Sequence, residues 1–455
     1  MTESSSLRLP VAENQARFRE LVSQALAHAQ TLGASDAVAE VAESCGRSVT
    51  VRNQNLDTVE QHRDRGLSIT VYAGQRLGSA STSDFSSEAL RETVEAAWHI
   101  ARHTAQDEAS GLPDTDLLAQ GTPDLELHHP WDVDTQEATE LALQAEQAAK
   151  DVSSQITNSE GASLDTQESH FVLGNTRGFM GGYPSTRHSI MVAPIAGEGA
   201  GMQRDYWYAA QRRWQDLPDP AQVGRYAAER ALARLSARRV PTGRFPVLFE
   251  APLALGLLGA LVQATSGGAL YRQASFLLDS RGSAVTASHV NVIEDPFIKH
   301  AMGSSAFDAE GVATHARDVV RDGVLQNYFL STYTGRKLGL PTTGNAGGSH
   351  NLTLSSTLTD PSDNLDAMLR KMGTGLLVTE LIGQGVNYVT GDYSRGAFGY
   401  WVENGQISYP VEEITIAGNM ADMLKQIVAV GADVITRGTK SSGSILIERM
   451  AVAGQ

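Results

Sequence analysis

The sequence predicts an α+β protein, with an N-terminal α/β domain that contains an antiparallel meander and a C-terminal β-barrel-like or β-sandwich domain. Three observations indicate this class. An amphipathic helix opens the chain, short strand-like segments with turn residues between them follow it, and glycine-rich turns become frequent beyond Gly243. Many short strands joined by glycine turns are typical of closed or sandwiched β domains.

The first helix and the meander follow from hydrophobic periodicity. Apolar residues recur at helical spacing from Phe18 to Leu32, and Gly33 ends the run. The segments after it alternate in the manner of strands, and turn residues, including 64–66, separate them. The predicted strands are Ala37–Ala42, Ser48–Arg52, Leu56–His62, Leu67–Tyr72 and Leu77–Thr82. Their order predicts antiparallel pairing.

Three further helices carry clear start signals. Ser86, Asp134 and Asp219 each precede an apolar periodic segment, and Pro220 stands at the first helical position after Asp219. Ser and Asp side chains accept hydrogen bonds from the free N–H groups of a first turn, and proline is favoured at that position. Between the second and third of these helices we predict the strands Ile156–Leu164, His170–Gly174, Met180–Pro194 and Met202–Trp214.

The length of 455 residues exceeds what one core usually supports, since single cores stop growing at about 250–300 residues. The segment 238–243 has the composition of a linker. We therefore predict an N-terminal α/β domain at 1–239 and a mainly β domain at 240–455. The second domain opens with a helix, Leu253–Ala264, whose residues are apolar all round, and this pattern predicts burial on every side.

Charge and cysteine content exclude several function classes. The 36 basic and 52 acidic residues give a net charge of −16, which argues against a nucleic-acid-binding surface. The single cysteine, Cys45, excludes an intrachain disulfide and a cysteine-based zinc cluster. The N-terminal residues lack a signal segment, and the apolar stretch 251–264 is too short to span a bilayer. We expect a cytoplasmic protein with no membrane or nucleic-acid partner.

Standard catalytic motifs are absent. No HExxH sequence occurs, and 391–396 departs from a nucleophile elbow because its glycine precedes Ser394 by three residues instead of two. A histidine after two glycines, at 347–350, allows close approach of a ligand to the backbone, although a structural role is more common for such a residue. We assign no catalytic residue. The candidates for a peptide-binding groove are His350, Asp392, Ser394 and Arg395.

Several stretches resemble one family along nearly the whole chain. In the first half they are LSITVY at 67–72, GSASTSD at 78–84 and ITNSEG at 156–161. In the second half they are FDAEGV at 307–312, DGVL at 322–325, GTGLLVTE at 373–380, GDYSRGA at 391–397 and EITIAGN at 413–419. Their order and spacing together resemble the PmbA (TldE) branch of the TldD/PmbA metallopeptidase family.

The resemblance implies that zinc is bound by another chain. TldD-type members carry HExxxH on the helix early in the second domain, and a cysteine near the C-terminus completes the site. The matching positions in this chain are Gly259, Ala260, Ala264 and Ser442. Glycine and alanine side chains have no atom that binds a metal. The resemblance therefore implies no metal and no cofactor in this chain, with zinc in a TldD-type partner.

The resemblance also implies how the chain assembles and what it acts on. It implies a heterodimer with a TldD-type catalytic subunit that encloses a chamber, and we expect a homodimer when the chain is alone. The implied substrates are small unfolded peptides, such as leader peptides and antitoxin fragments. Pairing of an extended peptide with a strand edge through backbone hydrogen bonds would explain tolerance of many sequences.

Two alternative functions stay open. One is a non-enzymatic regulatory or binding protein of the modulator of DNA gyrase type, although dispersed acidic charge is a common property of soluble proteins. The other is an independent peptidase that uses Ser394 with Asp392 and Arg395, although a structural role of the Asp and Arg in a glycine-bounded turn is more common. Activity assays with and without a TldD-type partner separate the leading interpretation from both.

Overall fold

The N-terminal half is one curled antiparallel sheet with helices on one of its faces. In a computed structural model of the chain, residues 9–454 are described. The helices of this half are α1 (Val11–Thr31), α2 (Ser87–His103), α3 (Thr135–Lys150) and α4 (Pro220–Ala233). The strands are β1 (Asp36–Arg52), β2 (Asn55–Ala73), β3 (Arg76–Thr82), β4 (Ile156–Asn175), β5 (Met180–Gly181), β6 (Pro184–Ala196), β7 (Gln203–Arg204) and β8 (Trp207–Gln211).

The sheet confirms the antiparallel meander and corrects its strand lengths. The strand order is β3-β2-β1-β4-β6-β7, with β5 paired to β4 and β8 paired to β6. The turn predicted at 64–66 is wrong, because β2 runs through it and pairs with β1 along the whole length of β1. Residues 55–65 of β2 are exposed at the edge of the sheet, where a strand needs no apolar face. The segments 156–164 and 170–174 are likewise parts of the single strand β4.

The predicted helix starts are confirmed by hydrogen bonds. The Ser86 hydroxyl accepts a hydrogen bond from the Ala89 N–H at 3.3 Å, and the Asp134 carboxylate accepts one from the Glu137 N–H at 2.8 Å. The Asp219 carboxylate accepts one from the Ala221 N–H at 2.8 Å. The four helices bury their apolar faces against one side of the sheet in two clusters, with α1 and α2 in one and α3 and α4 in the other.

The C-terminal half contains a closed barrel and a second sheet. Its helices are α5 (Ala251–Ala264), α6 (Gly267–Tyr271), α7 (Thr332–Leu338), α8 (Leu365–Met372) and α9 (Met420–Lys425). Its strands are β9 (Gly243–Phe249), β10 (Val290–Asp295), β11 (Arg317–Arg321), β12 (Val324–Leu325), β13 (Asn351–Ser356), β14 (Gly375–Ile382), β15 (Asp392–Glu403), β16 (Gln406–Asn419), β17 (Ile427–Val430), β18 (Ile435–Arg437), β19 (Lys440–Ser442) and β20 (Ile445–Ala453).

The barrel follows from the strand pairing. The strands β16, β15, β14, β9 and β20 are hydrogen-bonded in that order, and β16 also pairs with β20, which closes the ring. The second sheet has the order β12-β11-β10-β13-β19-β18. A mixed α+β protein with a curled N-terminal sheet and a C-terminal barrel confirms the predicted fold class. The domain boundary between residues 239 and 240 stays a prediction.

Helix α5 packs in the shared core of the C-terminal half, but it is not buried on every side. Leu257, Leu258 and Leu261 are buried with residues from both the barrel and the second sheet. Gly256 and Gln263 are exposed, because one stripe of the helix is not covered by neighbouring elements. The prediction of burial all round is wrong along that stripe. Between residues 9 and 454, no helix is long and apolar enough to cross a membrane.

Buried ion pairs join the two halves. On α4, the Arg230 guanidinium donates hydrogen bonds to both Glu250 carboxylate oxygens at 2.6 and 3.1 Å, and its Nε lies 3.3 Å from Asp205. Arg234, one turn later, pairs with Glu380 on β14 at 2.6 Å. Burial alone would lower the pKa of Arg230, but the two carboxylates raise it overall. These contacts fix α4 against the start of the C-terminal half.

Candidate functional site

The positions matched to the two histidines and the glutamate of HExxxH, and to the zinc-binding cysteine, lie on α5 and β19, which pack against each other. Ala260 and Ala264 are 4% and 0% exposed and lie within the hydrophobic core. Gly259 faces β19, since a Cβ atom at that position would lie 3.8 Å from Lys440 Cε. Ser442 is fully buried, and its hydroxyl donates a hydrogen bond to the Gly443 carbonyl at 2.9 Å.

These residues do not fit a zinc ion. Gly259, Ala260 and Ala264 offer no donor atom, and zinc sites in proteins are built from Cys, His, Asp and Glu. The Lys440 ammonium, one bond beyond the Cε atom that approaches Gly259, would repel a divalent cation. Among residues 9–454, no group of three or more His, Cys, Asp and Glu side chains is arranged to hold a metal.

His350 belongs to a buried polar network in the second sheet. The carboxylate of Glu294, on β10, accepts hydrogen bonds from the His350 backbone N–H at 2.7 Å and from the ring Nδ1 at 3.1 Å. Arg317 Nε donates to the same carboxylate at 2.7 Å, and the Asn345 amide donates to it at 2.9 Å. Glu294 is 1% exposed, so the network lies in the interior.

The network keeps Glu294 ionised. Burial alone would raise the pKa of Glu294, but the hydrogen bond from His350 and the charge of Arg317 lower it below its ordinary value. His350 is itself 8% exposed, so its ring is held by Glu294 instead of facing a groove. The arrangement fixes the loop before β13 to strands β10 and β11. The sequence shows His350 beside glycines but not the carboxylate that holds it.

The other three groove candidates lie on β15, in the barrel. Asp392 and Ser394 are exposed on one face of the strand, while Arg395 points to the other, as alternate residues of a strand do. Asp392 accepts a hydrogen bond from the Thr390 hydroxyl at 2.7 Å. Arg395 donates to the Gly383 carbonyl at 2.5 Å, and the Ser394 backbone N–H donates to the Gly385 carbonyl at 2.8 Å.

These contacts do not form a nucleophile site. Within the described part of the chain, the Ser394 hydroxyl makes no hydrogen bond to Asp392 or Arg395, and no histidine contacts it through a hydrogen bond. The loop of residues 383–391 approaches β15 so closely that a Cβ at Gly385 would collide with the Ser394 carbonyl oxygen. His350 lies in the loop before β13 of the second sheet and the other candidates lie on β15 of the barrel, so they belong to different sheets. Their role in peptide binding stays a prediction.

A different surface combines polar side chains with two cavities. This surface is the face of the N-terminal sheet that lies opposite the helices. On β1 it consists of the even-numbered residues from Glu40 to Ser48, and on β4 of the odd-numbered residues from Ser163 to Leu173. We call it the open face. Residues of β2, β6 and β8 extend it on both sides, and two cavities of about 470 and 510 Å³ lie on it.

The smaller cavity combines carboxylates with aromatic rings. It lies between the open face and the segment 305–309 of the C-terminal half, and Phe171, Tyr183 and Phe307 form an aromatic wall. Glu40 and Asp64 also line it, and within the described chain neither makes an ion pair or a side-chain hydrogen bond. Burial raises the pKa of Glu40. Arg65 lines the same cavity, so charges of both signs lie beside the aromatic wall.

The larger cavity is lined by hydroxyl groups and rings. The Asp165 carboxylate accepts hydrogen bonds from Ser48 at 2.6 Å and from Ser163 and Ser189 at 3.3 Å each. The His62 ring lies over Gly46, where no side chain stands in its way. Tyr206 and Tyr208 stack on each other with ring centroids 6.3 Å apart. The residues that line this cavity are Arg47, Ser48, His62, Ser163, Asp165, Thr166, Gln167, Arg187, Ser189, Met191, Tyr206 and Tyr208.

The open face was not predicted from the sequence, although the sequence contains a signal for it. Ser163, Asp165, Gln167 and Ser169 are polar at every second position of β4. Such alternation is also what a solvent-exposed sheet face shows, so it does not distinguish a binding surface from a plain exterior. Only the curl of the sheet and the approach of residues 305–309 turn this face into cavities.

Comparison with known proteins gives the family. Residues 37–101 match the PmbA/TldA metallopeptidase domain 1, residues 128–235 match the central domain, and residues 242–454 match the C-terminal domain. The chain is 45% identical to Metalloprotease PmbA of Escherichia coli O157:H7 over 453 residues, which cover 99% of this chain and 100% of that protein. It is also 45% identical to the Metalloprotease PmbA homolog of Haemophilus influenzae, with 99% of each chain covered.

Solved structures agree with this relationship. A crystal structure from Bacteroides thetaiotaomicron, described as a modulator of DNA gyrase, superposes with a TM-score of 0.90 at 28% identity, and the match covers 96% of this chain and 99% of that one. Sequence similarity, domain order and fold therefore lead to the same conclusion. The chain belongs to the PmbA branch of the PmbA/TldD metallopeptidase family.

Proposed function

We propose that this chain is the PmbA (TldE)-type subunit of a cytoplasmic zinc metallopeptidase complex, and that a TldD-type partner supplies the zinc. The observation that carries the proposal is the lack of any donor atom at Gly259, Ala260 and Ala264 in a chain of a metallopeptidase family. A chain with the fold of a peptidase but without metal ligands is suited to a structural and substrate-binding role beside a catalytic subunit. The buried thiol of Cys45 fits a reducing compartment.

The open face supports the second part of the proposal, which is that this subunit lines a chamber for small unfolded peptides. From Glu40 to Ser48 the face extends roughly 26 Å along β1, at about 3.3 Å per residue. An extended segment of about eight residues spans the same length. Leader peptides and antitoxin fragments of that kind are the substrates that we propose. A folded protein would be spared, because its strands are already paired and cannot enter singly.

The first prediction concerns metal and activity. The purified chain is expected to contain no stoichiometric zinc by elemental analysis and to cleave no unstructured peptide. Addition of a TldD-type partner is expected to produce cleavage that a chelator abolishes. The matched control is a partner whose HExxxH glutamate is replaced by glutamine, which should bind this chain normally and remain inactive. One zinc per isolated chain that survives dialysis, or chelator-sensitive cleavage by the isolated chain, would contradict the proposal.

The second prediction concerns recognition of substrate. Pairing with a strand edge of the chamber, which is separate from contact with the open face, needs free N–H groups on the peptide, so an alternately N-methylated peptide is expected to be cleaved poorly by the reconstituted pair. Scrambling the side chains of the same peptide should change the rate much less. The measurement is a competition assay with the parent, scrambled and methylated peptides at equal concentration. Normal cleavage of the methylated peptide together with failure of the scrambled one would show recognition through side chains instead.

A further inference from the structure

The β18–β19 hairpin of the second sheet carries two cations on one face. Arg437 lies directly opposite Lys440 across the turn at 438–439. Directly opposed residues of an antiparallel pair point to the same face, with Cβ atoms about 4.5–5.5 Å apart. Within residues 9–454, neither side chain makes an ion pair or a hydrogen bond. Like charges in this arrangement destabilise a sheet, so the stability of the fold does not explain the pair.

The guanidinium of Arg437 is held in position by two aromatic rings. Its Cζ atom lies 4.4 Å from the ring centroid of Trp207 and 4.3 Å from that of Tyr208, both on β8 of the N-terminal half. Its Nε and Nη2 atoms are buried and donate no hydrogen bond within the described chain, while Nη1 stays accessible. The charge is thus partly removed from water, and a partly buried cation attracts an anion more strongly than an exposed one does.

Lys440 faces the positions that match the zinc site of TldD-type members. A Cβ atom at Gly259 would lie 3.8 Å from Lys440 Cε, so the missing side chain leaves room for the lysine. Ser442, the match to the zinc-binding cysteine, lies two residues further along β19 and therefore on the same face of the strand. An unpaired cation thus stands where a metal site would need ligands for a cation. The charge at this place suits an anion.

The two cations border the larger cavity of the open face. Tyr208, which contacts Arg437, also lines that cavity. The carboxylate of Asp165 in the same lining accepts hydrogen bonds from three serine hydroxyls, and within the described residues it pairs with neither cation. A peptide that lies along the open face would therefore meet unpaired positive charge at the end beside Tyr208.

We propose that Arg437 and Lys440 bind a carboxylate of the peptide substrate and so determine where the peptide lies in the chamber. The inference rests on the proposed function and adds a specificity-determining contact to it. A carboxylate has two oxygens, so it can accept hydrogen bonds from both side chains together, and hydrogen bonds between ionised groups are among the strong ones in proteins. A C-terminal carboxylate and an Asp or Glu side chain share this chemistry.

Three versions of one unstructured peptide test the contact without any change to the protein. The parent peptide contains no Asp or Glu and has a free C-terminal carboxylate, the second version is its C-terminal amide, and the third is the amide with one Asp near the C-terminus. Isothermal titration calorimetry with the full chain is expected to show about tenfold tighter binding of the parent than of the amide. Tighter binding of the Asp version alone would assign the same contact to an acidic side chain.

Removal of the two cations should abolish this preference. The Arg437→Gln/Lys440→Gln variant is expected to bind the parent peptide and its amide equally, and Lys440→Gln alone should lose part of the preference. The matched control is Lys425→Gln/Arg449→Gln, which removes two exposed charges from the same half and should keep the preference in full. Circular dichroism checks that each variant is folded, and the single variant decides the question if the double variant is not.

Each outcome decides the inference. Tighter binding of a carboxylate-bearing peptide that is lost with Arg437 and Lys440 but kept in the control supports it. Equal binding of the three peptides, binding of none, or loss of the preference in the control overturns it.

Cleavage by the reconstituted pair tells failure of this inference apart from failure of the proposed function. Equal kcat/KM for the parent peptide and its amide contradicts the carboxylate contact and leaves the proposed function intact. A chain that prefers the carboxylate but supports no cleavage with a TldD-type partner contradicts the proposed function instead.

Discussion

Replacement of Glu294 by alanine is expected to lower the free energy of unfolding by about 3–5 kcal/mol. The substitution leaves the Arg317 guanidinium, 13% exposed, without its carboxylate partner. It also removes the acceptor for the His350 backbone N–H and the Asn345 amide. A buried charge without a partner costs more than the net value of the pair, because its hydration has been lost and nothing replaces it.

Urea unfolding followed by circular dichroism measures this effect. The matched control is Asp318→Ala, which breaks an exposed pair with Arg321 on the same strand β11 and should cost about 0–1 kcal/mol. Because the pKa of Glu294 is lowered in the folded state, its stabilisation is present above the ordinary pKa of 4.5 and is lost as the pH falls through the lowered value. The difference in the free energy of unfolding between the original protein and Glu294→Ala should therefore become smaller at acid pH. Equal costs for both variants at pH 7 would show that the network does not stabilise the fold.

Replacement of Arg230 by alanine is expected to cost a similar amount, about 3–5 kcal/mol, at the junction of the two halves. It leaves Glu250 and Asp205, which are 10% and 8% exposed, with one cation fewer between them. Arg230→Lys keeps the charge but not the two parallel hydrogen bonds to Glu250, and an intermediate loss is expected.

The same unfolding measurement applies to Arg230, with a surface arginine as control. Arg213→Ala removes an exposed pair with Asp216 at 3.6 Å and should leave stability within about 1 kcal/mol of the original. A loss in Arg230→Ala that equals the loss in Arg213→Ala would contradict a structural role for the buried pairs. Complete recovery in Arg230→Lys would show that charge alone is sufficient.

Local chemistry explains which parts of the fold the sequence predicts. The helix starts at Ser86, Asp134 and Asp219 depend on hydrogen bonds within two or three residues, so they are visible in the sequence. The continuity of β2 depends on pairing with β1 and not on its own composition. Its polar residues at 64–66 resemble a turn because an exposed edge imposes no apolar pattern.

The candidate site was harder to predict because its contacts are distant in sequence. Nothing near His350 identifies Glu294 or Arg317 as its partners, and these decide that the ring is buried. Similarly, the cavity beside Glu40 forms only when Phe307, from the other half of the chain, packs against Phe171. The missing donors at Gly259, Ala260 and Ala264 were visible because ligand chemistry is a property of single residues.

Closure of the barrel also determines when this half of the chain can finish folding. Its first strand, β9, pairs with β20, and the partners Phe249 and Ile445 are separated by nearly the whole half. Contacts between residues so distant in sequence are slow to form because a long loop must first be ordered. During synthesis, one edge of β9 and one of β16 stay unpaired until β20 has been made. A nascent chain therefore exposes two strand edges to aggregation until then, and a chaperone that shields them would raise the yield of folded protein.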